Sequence, residues 1–267
     1  NIEKKPGKKS PVAPFTTSTL QQEASKKLGY SVARTMQVAQ RLYEGGHITY
    51  MRTDSVNMSE SALAEAQQVI EREYGKKYHK SRKFTSKTAN AQEAHEAIRP
   101  TSFAAPTVAV ENDELKLYSL IWKRAIASQM SDAETENTVV TIENNKNDIP
   151  LIAKQEVVAF DGFLKVYMVE KDEDDEETSG AFLPPMNIGQ VLPLHQLTAT
   201  ERHSKHPARY NEAGLVKKLE ELGIGRPSTY APTISTIQNR EYVIKDQRDG
   251  KELIYQVVKL EKDKVAI

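Results

Sequence analysis

The densest set of chemically capable side chains is Gln40, Glu44, Thr49, Tyr50, Arg52, Thr53 and Asp54. The run from His47 to Thr53 is β-like. In an extended chain alternate residues share a face, so Tyr50, Arg52 and Asp54 are expected to point together. A tyrosine nucleophile needs help. An unperturbed phenol has a pKa of ~10, so making the phenolate at neutral pH costs about 4 kcal/mol. A guanidinium two residues away on the same face offsets part of that. It can also bind a phosphate oxygen and stabilise charge on a pentavalent phosphorus. Asp54 could hold Arg52 in place. Tyrosine, arginine and a basic surface together suit phosphodiester transesterification. The competing reading is an ordinary solvated strand face, since the chain holds 11 tyrosines and most must serve packing or surface. Spacing alone does not choose between them.

The charge distribution supplies the basic surface. Residues 1–99 carry 17 basic and 10 acidic side chains, residues 100–267 carry 20 and 27, and the total is neutral. A basic front end permits phosphate binding without demanding it. Apolar residues make up 38% and charged residues 28%, a soluble globular composition with material for real cores. The 267 residues suit two or three modest domains. With no cysteine, disulfides, thiolate zinc sites and cysteine catalysis are excluded. That composition is compatible with the cytoplasm. No run of ~18 apolar residues suggests a membrane span, and no signal peptide is visible. The chain begins at Asn1 rather than Met and stops in the strand-like run Lys264-Val265-Ala266-Ile267, so a piece of a larger protein is expected.

The elements that would position the site follow from local signals. Residues 1–14 are rich in Lys, Pro and Ser and read as a linker or tail. Ser18 with Gln21 has capping-box spacing, and Leu20, Ala24 and Leu28 form a helical stripe ended by Gly29. Ser31 caps a second helix with the stripe Val32, Met36, Ala39 and Tyr43, stopped by Gly45-Gly46. Helix, tight turn, helix, strand is the order of a winged-helix DNA binder. Helices are expected over 59–73, capped by Ser59, and over 91–99 and 112–130, with a polar loop over 76–90. Leu115, Tyr118, Leu120, Ile121 and Trp122 would pack the last helix. From Asn137 the character turns to β, with segments at 138–142, 149–153, 157–159, Phe163 to Val169, Phe182 and Val191. Helix returns over 211–222, with Leu215, Leu219 and Leu222 inward, then from Thr229 to Asn239, with a strand from Tyr242. This second helix pair echoes the first.

Four separated blocks carry a resemblance. Ile48-Thr49-Tyr50-Met51-Arg52-Thr53-Asp54-Ser55 resembles the active-site signature of type IA DNA topoisomerases. Pro14 to Ala24, Ala91 to Pro100 and Gly223-Ile224-Gly225-Arg226-Pro227-Ser228-Thr229-Tyr230 resemble further segments of the same family, in the family's order. They span residues 14–230, and their wording is closer to the bacterial topoisomerase I branch than to topoisomerase III. The resemblance implies that Tyr50 attacks a phosphodiester of single-stranded DNA, giving a 5′-phosphotyrosine and a free 3′ hydroxyl. Strand passage and religation without ATP would relax negatively supercoiled DNA. Arg52 would stabilise the charge. Gln40, Glu44, Thr49, Thr53 and Asp54 would support the site, and His95 would contact DNA or assist proton transfer. Arg226, Ser228 and Thr229 would line a single-strand groove.

The expected fold is therefore α+β and multi-domain: a winged-helix-like helical domain over 15–136 bearing Tyr50, a partial antiparallel β arch or hinge over 137–208, and a second winged-helix-like segment over 209–267. The family keeps its Mg²⁺-binding acids in a Toprim domain that this sequence lacks, together with the C-terminal zinc ribbons. No metal is expected in this chain, relaxation by the chain alone is not expected, and a monomer is. Asp172, Asp174 and Glu176 read as a solvated acidic loop, and His203 and His206 as loop residues. Each site residue has a plainer reading: Gln40 and Glu44 as a solvated i, i+4 pair, His95 as a surface histidine, Ser228 as a helix cap. The alternative for the whole is a non-catalytic winged-helix DNA-binding module.

Overall fold

A computed structural model of the chain describes residues 1–85, 96–144, 148–168, 183–204, 207–247, 249–250, 252–261 and 264–266. Helix α1 (Thr17–Leu28) opens on Thr16, whose hydroxyl accepts the Thr19 N–H while the Thr19 hydroxyl accepts the Thr16 N–H. The expected box of Ser18 and Gln21 is thus displaced by two residues. Both of those side chains are buried inside the helix, where no first-turn amide is left for them to cap. Gly29 ends α1 in the left-handed conformation, with φ of 66°, as glycine does without penalty.

Ser31 caps α2 (Val32–Glu44), which buries Val32, Thr35, Val38, Ala39 and Leu42. The stripe expected through Met36 and Tyr43 is rotated: Leu42 takes the core and Tyr43 turns outward. Ser59 caps α3 (Glu60–Glu73). Helix α4 (Asn112–Ser128) buries Leu117, Tyr118, Leu120, Ile121 and Trp122, with Leu115 only half-buried. These helices share one apolar core with Phe15, Ile48, Met51, Ile98 and Phe103. Of the helix expected over 91–99, residues 91–95 lie outside the described set. Residues 96–99 are extended instead, because Ile98 bridges to Phe15 and is drawn into the core.

Residues 2–9, read from composition as a linker, form strand β1 (Ile2–Lys9). It pairs antiparallel with β2 (Ala133–Ile142) from Ile2 opposite Val140 to Lys9 opposite Ala133. The lysines that suggested a tail are partners across the ladder: Lys4 meets Glu136 at 2.9 Å and Lys8 meets Asp132 at 2.9 Å. Lysines on an edge strand also discourage pairing with a further chain. On its other side β2 pairs with β3 (Leu151–Phe160), giving the order β1-β2-β3. The β reading past Phe163 fails. A 3-10 turn over Gly162–Lys165 buries Phe163 and Tyr167 among the helices instead.

A second three-stranded sheet follows in the second half. No strand forms at Val191. Strand β4 (Gln196–Thr200) pairs with β5 (Val257–Glu261), which pairs with β6 (Lys264–Ala266), a sheet separate from the first. Between them lie α5 (Glu212–Glu221) and α6 (Tyr230–Asn239). Leu215 and Leu219 are partly buried as expected, but Leu222 is exposed because α5 ends before it. Tyr242 to Ile244 are exposed and form no strand, having no ladder partner among the described residues. Helix α5 packs on α1 and α6 on α2, around a small core of Val32, Val216, Tyr230 and Ile234. Among the described residues no helix is long and apolar enough to cross a membrane.

Candidate functional site

The segment from Ile48 to Ser55 is not a ladder strand, yet from Tyr50 to Ser55 more exposed and buried residues alternate as in one; Ile48, two residues before Tyr50, is buried and breaks the pattern. Ile48, Met51, Thr53 and Ser55 are buried, whereas Tyr50 and Arg52 are exposed. Two threonines hold its backbone. Before Tyr50, the Thr49 amide donates to the Arg99 carbonyl at 2.9 Å and the Thr49 hydroxyl donates to the Ala97 carbonyl at 2.7 Å. After it, the buried Thr17 hydroxyl donates to the Met51 carbonyl at 2.7 Å and accepts the Thr53 amide at 2.9 Å. Arg99 is in turn fixed by Glu96 at 2.5 Å. Burial would raise the Glu96 carboxyl, but the Ser59 hydrogen bond and the Arg99 charge bring it below its ordinary value.

On the exposed face Tyr50 is 44% accessible. Its ring meets Tyr43 edge-to-face, with centroids 5.1 Å apart and planes at 64°. Arg52 has no carboxylate partner among the described residues. Asp54, expected to hold it, makes no ion pair with it and lines a cleft with Thr53. Gln40 and Glu44 form the plain i, i+4 pair, with Gln40 Nε2 donating to Glu44 Oε1 at 2.6 Å on the helix that carries Tyr43.

The cleft joins the two helix pairs. Asp54, Thr53, Ser18 and Thr16 face Glu220, Arg226, Pro227 and Tyr230 across about 20 Å³, room for little more than one water. Ser18 Oγ donates to Glu220 Oε2 at 2.7 Å, and the Val32 amide donates to Glu212 Oε2 at 2.9 Å. Burial would raise Glu212, but Lys245 and the Val32 amide draw it below its ordinary value. Burial raises the Tyr230 phenol, and Glu220 adds to the effect. In the turn before α6, the Thr229 hydroxyl accepts the Arg226 amide at 2.8 Å. Thr229 itself stands at the N-cap of α6, so the cap reading for Ser228 is wrong, and Ser228 is simply exposed.

Comparison with known proteins decides the family. A sequence model described as DNA topoisomerase matches residues 1–261. The chain belongs to the DNA topoisomerase family. It is 46% identical over 256 residues to DNA topoisomerase 1 of Rickettsia felis, covering 91% of this chain and 33% of that protein. It is 47% identical over 270 residues to DNA topoisomerase 1 of Mycolicibacterium smegmatis, covering 95% of this chain and 28% of that protein. Among solved structures, full-length topoisomerase I from Thermotoga maritima superposes with a TM-score of 0.75 at 36% identity, covering 92% of this chain and 41% of that one. The chain thus spans about a third of the length of these curated topoisomerases.

Within this topoisomerase chain, Tyr50 and Arg52 are both exposed, and Arg226 lines the same cleft as Asp54 and Thr53. His95 lies outside the described residues, as do Asp172, Asp174, Glu176 and His206. Sequence reasoning missed Thr17, Glu96, Glu212 and Glu220. All four act through contacts 34 or more residues away, which leave no local spacing signal. Among the described residues no group of three or more His, Asp or Glu could hold a metal ion.

Proposed function

We propose that this chain supplies the tyrosine-bearing and groove-forming parts of a type IA DNA topoisomerase. In this reading residues 15–136 carry the nucleophile. Residues 137–208 belong to the hinge, and residues 209–267 to a single-strand groove whose helix pair, like the first, is winged-helix-like. The observation that carries the proposal is an exposed tyrosine two residues from an arginine that has no carboxylate partner among the described residues, on a backbone pinned from both sides.

Tyr50 Oη attacks phosphorus in a single strand of negatively supercoiled DNA. An O–P bond to tyrosine forms, the P–O3′ bond breaks, and the phenolic proton leaves while the 3′ oxygen gains one. The linkage conserves the bond energy, so no ATP is consumed, and the 3′ hydroxyl reverses the step after strand passage. Arg52 meets the charge that grows on the phosphoryl oxygens, where a preorganised cation contributes most. In extended backbone the two Cα atoms stand about 7 Å apart, within joint reach of one phosphate. Thr49 and Thr53 fix the backbone between them, Asp54 shapes the cleft, and Gln40 and Glu44 stiffen the end of α2. His95 contacts the DNA or assists proton transfer. Arg226, Ser228 and Thr229 bind the strand's phosphates. The cleft must open first, because its present volume holds no nucleotide. The family implies Mg²⁺ for the full-length enzyme. The described residues offer no site that fits it, so no step here runs through the metal. The enzyme would act as a monomer on cytoplasmic DNA.

The test uses the full-length protein that contains this chain, with a labelled single-stranded oligonucleotide. Tyr50→Phe is expected to bind the oligonucleotide and form no denaturation-resistant adduct. Adduct formation at the wild-type level would overturn the proposal and favour a DNA-binding module.

A further inference from the structure

We propose that Tyr43 is a positioning residue that holds the Tyr50 ring in its reactive orientation. The inference rests on the reading of Tyr50 as nucleophile and deepens it. The backbone around Tyr50 is immobilised by Thr17 and Thr49, as described above. That leaves the side-chain torsions as the only freedom at position 50. An exposed tyrosine has several rotamers, and each carries the hydroxyl to a different place. In-line attack requires the oxygen within about 3.5 Å of phosphorus. Something must therefore restrict the ring, and Tyr43 is the aromatic partner it meets, edge-to-face at 5.1 Å.

Tyr43 is well placed to act as a fixed reference. It follows the fully buried Leu42 in the last turn of α2, where the Gly45 amide donates to the Arg41 carbonyl at 2.8 Å. Gly46, with φ of 72°, then reverses the chain and brings Tyr50 back over Tyr43. Core packing does not explain a tyrosine here, since Tyr43 is 40% exposed and stands outside the apolar cluster. Ring pairing is a property of the aromatic face and edge, not of the hydroxyl. Phenylalanine should therefore substitute at position 43 and leucine should not.

The experiment compares Tyr43→Phe and Tyr43→Leu in the full-length protein by single-turnover cleavage, oligonucleotide binding and the fluorine resonance of 3-fluorotyrosine placed at position 50. Tyr43→Phe should cleave at the wild-type rate. Tyr43→Leu should cleave about two- to twelvefold more slowly, the value of one aromatic pair, with unchanged Kd. Its fluorine line should shift and narrow as the ring is released. Three results would each overturn the inference: Tyr43→Leu cleaving at the wild-type rate, an unmoved fluorine line, or a Kd that weakens in step with the rate, which would make Tyr43 a base-stacking platform. Adducts on Tyr50→Phe would refute the nucleophile reading instead, while the fluorine line would still report the ring pair.

Discussion

Replacing Thr17 with valine tests the clamp behind the candidate nucleophile. Thr17 is fully buried, and its hydroxyl serves both the Met51 carbonyl and the Thr53 amide. Valine keeps the shape and removes both bonds. Each buried group left without a partner costs about 1–3 kcal/mol, and the added methyl returns about 0.8 kcal/mol. The net loss should be about 2–4 kcal/mol, or ~5–15 °C in Tm for a chain of this size. Urea and thermal unfolding of the 267-residue chain provide the assay, with an unchanged urea m-value showing that compactness is intact. Thr17→Ser keeps the hydroxyl and should lose no more than about 1 kcal/mol. A valine variant as stable as the serine variant would refute the reasoning, because the segment would then be held without the Thr17 hydroxyl, by its buried side chains and by backbone bonds such as that from the Thr17 amide to the Thr53 carbonyl at 2.9 Å.

Other perturbations give outcomes of different sign and place. Burial would raise Asp132, but hydrogen bonds from Lys80, Lys8 and Ser10 and the charge of Arg82 hold its carboxyl far below the usual range. Its stabilising contribution is therefore present above the unfolded carboxylate value of ~3.9 and is lost as pH falls from there toward the depressed folded value. The stability gap between wild type and Asp132→Asn, about 2 kcal/mol because two of the three cations reach water, should stay constant from about pH 7 to 5 and shrink below about pH 4, as urea titrations will report. Gly162→Ala should lose about 3 kcal/mol or more in the same assay, since φ is +49° and the new Cβ would lie 2.3 Å from the Asp132 carbonyl oxygen. Arg52→Ala in the full-length protein should slow DNA cleavage more than it weakens binding, whereas equal losses would make Arg52 a phosphate-positioning group only.

What could be read from sequence was what local chemistry determines. Ser31 and Ser59 cap their helices because a hydroxyl three residues ahead of an amide needs no tertiary help. Gly29 ends α1 for an equally local reason. The alternation from Tyr50 to Ser55 was legible too, since burial of every second residue follows from extended backbone whether or not a ladder forms. Long-range pairing was not legible. Residues 2–9 look like a linker by composition, and only β2, more than 120 residues away, makes them a strand. Phe163 carries strand propensity, but Gly162 packed under the Asp132 carbonyl turns the chain into a 3-10 turn. The same limit hid Thr17 and the glutamates of α5. It also misplaced Asp54, which the alternation assigned to Arg52 and which the cleft claims.

The central claim is that the Tyr50 oxygen becomes covalently joined to a broken DNA strand. Trapping the adduct of the full-length protein with a labelled oligonucleotide, digesting it and sequencing the labelled peptide by mass spectrometry tests this most directly. The label is expected on Tyr50, within the tryptic peptide that runs from Leu42 to Arg52. A label on any other side chain, Tyr43 included, would contradict that claim.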